Sequence, residues 1–325
     1  MVTSYVTIHS VQVIVNSRLR AGLQARSLPL RGPTAVKIAA VTPPIRLLAV
    51  DIDGTLLNSE FRMSQADIDA LRHAHTSGVE VILVTGRRHA FALPTANLLG
   101  FDLWLISSNG AVTRSSKGEG FHRDLLPVET CRELCLTMRD FRGNMVVTFD
   151  KETKGALVLE RMDELTQSIQ RWLEKNLEFI DFVTPLEDAL VTDPVQAMFC
   201  GPIDRMAAAL ARLEESRLRN RVTVLRTEYP LRDLTIVDVL NQGCSKGHAV
   251  ERWAVHRGIP REQVMAIGDN YNDVEMLAFA GVPFIMGNAC AELKAQGWPV
   301  TLSSDESGVA AAIEKVLVYA PQQAT

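Results

Sequence analysis

The amino-acid sequence predicts an α/β protein: a doubly wound, parallel-sheet (Rossmann-like) core with an inserted α+β cap domain. Three observations predict it. Short apolar runs, each ending in a polar cluster, alternate with helical patterns from Ile45 to about residue 112, the rhythm of right-handed βαβ units. The same rhythm returns after residue 240. Between these stretches the pattern changes to strands joined by tight turns, with helices set apart from them. The core is therefore expected from residues 46–112 and 240–320, and the cap from 113–239.

Leu47-Leu48-Ala49-Val50, closed by Asp51, reads as a buried strand. Ser64 opens a helix, with Asp67 three residues on as its capping-box partner and Gly78 as its stop. The run 79–84 is a second strand leading to Thr85-Gly86-Arg87, and 103–106 a third leading to Ser107-Ser108-Asn109-Gly110. A helix over 128–141 precedes a hairpin of 145–150 and 156–160 about a Lys-Glu-Thr-Lys-Gly turn. A strand at 195–200, a helix at 203–219 and a second hairpin, 221–226 with 233–239 across Tyr229-Pro230, complete the insertion. Lys246 then opens a helix that stops at Gly258, and the strand 264–267 leads to Gly268-Asp269. A helix over 272–280, a strand at 282–286 and a helix over 308–318 close the core.

Composition narrows the class. The chain has 325 residues, 47% hydrophobic and 22% charged, enough for a sizeable core and two domains. No run approaches the roughly 18 apolar residues of a membrane span. A net charge of −4 with 6% aromatic residues gives no support for a nucleic-acid partner. Five cysteines without a metal-type CxxC pair suit a reduced, cytoplasmic protein rather than a disulfide framework. Residues 1–45 stand apart. Arg18, Arg20, Arg26, Arg31 and Lys37 lie there, and Asp51 is the first carboxylate of the chain. A basic, acid-free leader has the composition of an organellar transit peptide. It lacks a strong amphipathic helix, however, and reads as a disordered extension outside the fold.

The chemistry-bearing residues sit just after core strands, where open α/β sheets bind ligands. Asp51, Thr85, Asn109 and Asp269 would converge there from four strands. Asp51 and Asp53, two apart at a strand end, point to the same side and can share one site. Clustered carboxylates invite Mg²⁺, which prefers oxygen ligands and keeps waters for a phosphate. Asp51 is placed to attack phosphorus, and Asp53 to protonate the leaving alcohol and then deprotonate water. Taken alone, the pair would equally serve as strand-end aspartates capping the next turn. Thr85 and Gly86 offer a hydroxyl and turn N–H groups to phosphate oxygens, though Thr-Gly is also ordinary turn chemistry. Lys246 would bring positive charge to the phosphoryl group; the competing reading is a solvated surface lysine. Asp269 is placed for Mg²⁺, Asp273 for an outer or water-mediated role, and Asn272 for phosphate, while all three would also suit an N-cap cluster.

Together these residues resemble the haloacid dehalogenase superfamily, whose four motifs appear in order. They are Asp51-Ile52-Asp53-Gly54-Thr55-Leu56-Leu57, Thr85-Gly86-Arg87, Lys246-Gly247 and Gly268-Asp269-Asn270-Tyr271-Asn272-Asp273. Ser108-Asn109-Gly110-Ala111, Ser245-Lys246-Gly247, Met286-Gly287-Asn288-Ala289 and Asp305-Glu306-Ser307-Gly308-Val309 resemble its Cof-type phosphatases, which carry a large α/β (type IIB) cap. The resemblance covers about residues 46–318. It implies Asp51 as nucleophile and Mg²⁺ ligand, Asp53 as acid/base and ligand through its carbonyl, and Asp269 as third ligand. It implies phosphate contacts from the Ile52 backbone, Thr85, Gly86, Lys246 and Asn272, and a cap that closes over the site and selects substrate.

The expected activity is Mg²⁺-dependent hydrolysis of a small phosphorylated metabolite, such as a sugar phosphate, through phospho-Asp51. A phosphomutase on the same core and a catalytically silent binding protein are the alternatives; the second would be expected to lose Asp51, Asp53 or Lys246. His73 and His75 read as surface residues, His89 as a loop residue, and the cysteines as small core residues. Trp104, Trp253 and Trp298 read as packing or surface residues.

Overall fold

Both parities of the first strand are buried, which is what a sheet covered on two faces demands. The computed structural model describes residues 44–317, so the expectation for the basic leader lies outside the described residues. Strand β1 (Leu47–Asp51) sends Leu48 and Val50 into one apolar layer with Leu71, Leu83 and Ile267. Leu47 and Ala49 enter the opposite layer with Ile82, Val84 and Trp253. The remaining core strands are β2 (Glu80–Val84), β3 (Trp104–Ser107), β4 (Val112–Ser115) and β5 (Gly120–Arg123). After the insertion come β12 (Val264–Gly268) and β13 (Val282–Ile285).

The core sheet runs β13-β12-β1-β2-β3-β4-β5, parallel through its first five strands and antiparallel beyond β3. This is the predicted fold class. The chain builds outward from β1 to β3, then returns on the other side of β1 as β12. The order therefore reverses between β1 and β12, and the ligand crevice lies beyond their carboxyl ends. Register supports the convergence read from the motifs. Val50 pairs with Ile267, and Asp51 with Val84, so Asp51, Thr85 and Asp269 leave the sheet at one level.

Residues 113–123, read from the sequence as cap, belong to the core sheet as β4 and β5. Their runs Val-Thr-Arg-Ser and Gly-Phe-His-Arg carry few apolar residues, and the edge strand β5 has no fully buried residue. The inserted sheet holds β6 (Met145–Thr148), β7 (Leu157–Leu159), β8 (Ile180–Phe182), β9 (Gln196–Gly201), β10 (Val222–Tyr229) and β11 (Leu234–Asn241). Its order is β10-β11-β9-β6-β7-β8, and both predicted hairpins pair as expected. Helices Val128–Thr137 and Ile203–Glu214 cover one face, against Val147, Ala197, Phe199, Val237 and Val239. Strand alternation turns Gln196 and Asp238 to the other face.

Three other expectations change. The predicted helix over 203–219 stops at Glu214, because Ser216 accepts the Leu218 N–H at 3.2 Å and starts a new turn. The helix over 128–141 ends at Thr137, and the segment Arg139–Asn144 continues as tighter 3₁₀ turns. Ser64 does cap its helix, but the Asp67 carboxylate accepts the Ser64 hydroxyl at 2.8 Å and the Ala310 N–H at 2.8 Å instead of closing a capping box. A local signal thereby ties the last helix, Gly308–Leu317, to the first. Among the described residues no helix is long and apolar enough to cross a membrane.

Candidate active site

Lys246 is 1% exposed, and its Nζ donates to Asp51 Oδ1 and to Asp273 Oδ1, each at 2.6 Å. The surface-lysine reading is therefore excluded. Ser245 caps the helix Lys246–His256 by accepting the His248 N–H, which sets the first turn. Gly247 lets that helix lie against the next: a Cβ there would stand 2.6 Å from Glu275 backbone carbon. Burial works against the ammonium, but Asp273 and Asp51 outweigh it and hold Lys246 charged well above the ordinary lysine range.

One ammonium faces three carboxylates. Asp51, Asp269 and Asp273 each bring an oxygen within 4.8 Å of the others. Burial, then the charge of Asp273, pushes the Asp51 carboxyl up to about 7 against the pull of Lys246. Burial, then Asp51 and Asp273, drives Asp269 well above the usual carboxylate range. A buried, oxygen-only cluster short of positive charge fits a small hard dication. Asp273 is already engaged, with Oδ2 accepting the Asp269 and Asn270 N–H groups at 3.0 Å and Oδ1 accepting Lys246. Asp51 and Asp269 are the carboxylates with capacity to spare, while the Thr55 hydroxyl donates to Asp269 Oδ1 at 3.1 Å. Gly54 makes room for Asp269. Its φ is +83°, and a Cβ would stand 2.4 Å from Asp269 Oδ2.

Asp53 is not in that cluster. Arg87 grips its carboxylate, Nε to Oδ2 at 2.7 Å and Nη2 to Oδ1 at 2.5 Å. This corrects the reading in which the Asp51 and Asp53 carboxylates invite an ion together. A turn follows β1 immediately, so the two-residue alternation of a strand no longer governs where Asp53 points. Arg87, quoted in a motif but given no side-chain role, is the residue missed there.

Thr85 is buried, and its Oγ accepts the Arg87 N–H at 3.1 Å. The Ile52 side chain lies in the core, so only its backbone can serve the site. Asn272 sits on the 3₁₀ turn Tyr271–Asp273, not in a helix as predicted, and that turn is capped by Asn270. Its Nδ2 donates to Asn109 Oδ1 at 2.9 Å. Asn109 Nδ2 in turn donates to Asp238 Oδ2 at 2.9 Å, and Gln196 Nε2 donates to Asp238 Oδ1 at 2.9 Å. Burial pushes Asp238 up to about 7, opposed by the Asn109 hydrogen bond and the Lys246 charge. A carboxylate in the middle of the apolar run Leu-Thr-Ile-Val-Asp-Val-Leu was the available signal for Asp238, since such residues are rarely buried without a partner.

The tip of the second hairpin closes on the same region. Arg226 Cζ lies 4.4 Å from the centroid of the Tyr271 ring. Arg232 stands over both Phe61 and Tyr229, at 5.1 and 5.8 Å. Burial, then Asp53, Asp269 and Asp51, keeps the Tyr229 hydroxyl protonated far above its ordinary range. His89 opens the helix His89–Asn97, which the sequence reading did not include, and is buried with Nε2 3.1 Å from the Ser115 carbonyl. Four cysteines are buried as expected, but Cys290 is exposed.

A parallel sheet with a switch point, buried carboxylates there and a lysine shared between two of them form a crevice suited to a charged ligand and a hard cation. The family model for haloacid dehalogenase-like hydrolases matches residues 48–313, and the chain belongs to that family. Phosphatase YwpJ of Bacillus subtilis is 28% identical over 295 residues, covering 84% of this chain and 100% of its own. The HMP-PP phosphatase of Escherichia coli O157:H7 is 30% identical over 254 residues, 77% of this chain and 87% of its own. The solved structure of a HAD subclass IIB sugar phosphatase shares the fold, with a TM-score of 0.65, 24% identity, and coverage of 83% of this chain and 98% of that one.

Proposed function

We propose that this chain, a phosphatase of the haloacid dehalogenase family, hydrolyses small phosphate monoesters through a covalent intermediate on Asp51, with Mg²⁺ as cofactor. The observation that carries the reading is the Lys246 ammonium shared at 2.6 Å between Asp51 and Asp273 inside a buried carboxylate cluster. That arrangement is poorly suited to mere stability, because one cation does not compensate three buried carboxylates. It is well suited to an incoming dianion accompanied by a dication.

An oxygen of Asp51 attacks phosphorus, and the bond from phosphorus to the leaving oxygen breaks. Asp53, protonated on one oxygen and still held by Arg87 through the other, gives the leaving oxygen a proton. Asp53 then takes a proton from water, whose oxygen attacks the phosphoryl group and frees the Asp51 carboxylate. Lys246, Thr85, the backbone at Ile52 and Gly86, and Asn272 bind phosphoryl oxygens and stabilise the charge that develops on them. Asp51, Asp269 and the Asp53 carbonyl would hold Mg²⁺, which supplies charge neutralisation at those oxygens. Asp273 orients Lys246 and the Asp269–Asn270 turn. The inserted domain, 113–239 by sequence with its sheet beginning at β6, serves as the substrate-selecting cap. The curated relative HMP-PP phosphatase and the sugar-phosphatase neighbour support a small phosphorylated metabolite as substrate.

The test is release of orthophosphate from a panel of sugar phosphates, nucleotides, and flavin and pyridoxal phosphates, with and without Mg²⁺. Turnover that needs Mg²⁺ and vanishes in Asp51→Asn is expected. Transfer of phosphoryl between sugar positions without net release would make the enzyme a mutase. Well-folded protein inert across the panel would sink the hydrolase reading.

A further inference from the structure

We propose that Asp238 of the inserted domain is a positioning residue for Asn272, acting through the side chain of Asn109; this rests on the phosphatase reading above, in which Asn272 contacts phosphate. The three side chains form one buried line. Asp238 Oδ2 accepts from Asn109 Nδ2 at 2.9 Å, and Asn109 Oδ1 accepts from Asn272 Nδ2 at 2.9 Å.

The direction of these bonds is what matters. A carboxylate offers only acceptors, so Asp238 obliges Asn109 to face it with its NH₂. The Asn109 oxygen must then face Asn272, and Asn272 must answer with an N–H. Its second N–H stays available for a phosphoryl oxygen. Without the acceptor at 238 the Asn109 amide can turn over and present its NH₂ instead. Asn272 then answers with its oxygen, the wrong polarity for a neighbour of phosphate.

Everything else about Asn109 is held. Ser108 and Asn109 occupy the left-handed region at φ 49° and 55°, unusual for residues other than glycine. Backbone bonds clamp that turn, the Ser108 N–H to the Arg87 carbonyl at 2.8 Å and the Asn109 N–H to the Thr85 carbonyl at 3.0 Å. Such strain concentrates at functional sites. The amide torsion is the freedom that remains, and Asp238 removes it. Asp238 is itself oriented by Gln196 Nε2 at 2.9 Å on its other oxygen. Gln196 Oε1 is buried without a partner among the described residues. An amide at 238 can therefore keep its oxygen toward Asn109 while Gln196 turns over to meet its NH₂.

The probe is orthophosphate with Mg²⁺, its dissociation constant measured by calorimetry on full-length protein, in a cycle of Asp238→Ala and Asn272→Ala. Asp238→Ala should weaken phosphate about tenfold or more, the range for one hydrogen bond to a charged group. Asp238→Asn should recover most of that loss. In the Asn272→Ala background, Asp238→Ala should cost no more than about twofold, because coupled residues are non-additive. Equal losses in both backgrounds would make Asp238 a structural contact and overturn the relay while leaving the phosphatase intact. If circular dichroism shows Asp238→Ala misfolded, Asn109→Ala takes its place in the same cycle, and unchanged affinity there overturns the relay. Wild-type protein that neither binds orthophosphate nor releases it from any monoester overturns the functional reading and the relay with it.

Discussion

Arg87 meets Asp53 fork to fork, with Nε on Oδ2 at 2.7 Å and Nη2 on Oδ1 at 2.5 Å. Both side chains are about a quarter exposed, so the pair adds little to stability, roughly 1 kcal/mol or less. Its consequence is orientation. Planar bidentate contact fixes the plane of the carboxylate, and one of its two bonds must be released for that oxygen to carry the proton passed to the leaving group.

Removing that contact should depend on the leaving group. General acid catalysis contributes about 10²–10⁴ in rate. Arg87→Ala should lose part of that with an alkyl phosphate and little with p-nitrophenyl phosphate, whose leaving group departs without protonation. Arg87→Lys should resemble Arg87→Ala, because it keeps the charge but not the fork. Equal losses on the two substrates, measured as kcat, would detach Arg87 from Asp53.

Lys246→Ala removes the ammonium from between Asp51 and Asp273. Loss of one charge-stabilising donor should cost about 2.7–4 kcal/mol, a fall of roughly 10²–10³ in kcat. The same change leaves two buried carboxylates uncompensated, so metal-free protein should lose about 3–5 kcal/mol of stability near pH 8. Denaturant titration with and without Mg²⁺ checks this, and recovery with Mg²⁺ is expected.

The pH dependence has a definite sign. Asp51 and Asp238 are both lifted from 3.8 to about 7 in the folded state, chiefly by burial. Folded protein therefore binds more protons than unfolded protein between those values. Metal-free stability should be highest below about pH 4 on account of these two groups, and should fall as pH rises through about 7. Asp51→Asn should flatten the profile. Mg²⁺ should raise the melting temperature more at pH 8 than at pH 5, because it binds the ionised site of the folded state. A melting temperature that falls from pH 4 to 7 in Asp51→Asn as steeply as in wild type would contradict the assignment.

Gly54→Ala tests the approach of the first loop to the metal side of the site. The φ of +83° and the 2.4 Å separation from Asp269 Oδ2 leave no place for a methyl group. The left-handed conformation alone costs about 1–3 kcal/mol. Displacement of Asp269 should raise the Mg²⁺ concentration needed for half-maximal activity. An unchanged Mg²⁺ requirement would remove Asp269 from the metal site.

Legibility followed the range of the interactions. Core strands such as β1 and β12 were readable because burial on two faces leaves an unbroken apolar run. The strands β4 and β5 were not, because β4 adds to the edge of β3, β5 adds to β4, and their own composition is mixed. Helix ends failed where a single side chain restarts the chain, as Ser216 does. The helix His89–Asn97 was hidden by Pro94 in its interior, which normally argues against a helix.

What the sequence determined by itself is the fold class, the order of the motifs and the residue types at the strand ends. All of these depend on short-range pattern: hydrophobic period, turn-forming glycines and carboxylates a few positions apart. What only the tertiary structure decided is which of those residues meet. Lys246 reaches Asp51 across 195 positions and Asn109 reaches Asp238 across 129. Asp53 turns to Arg87, away from the carboxylates that cluster with Asp51. Such contacts depend on strand register and on the seating of the inserted sheet, and those are set by packing summed over the whole chain, which no local pattern encodes.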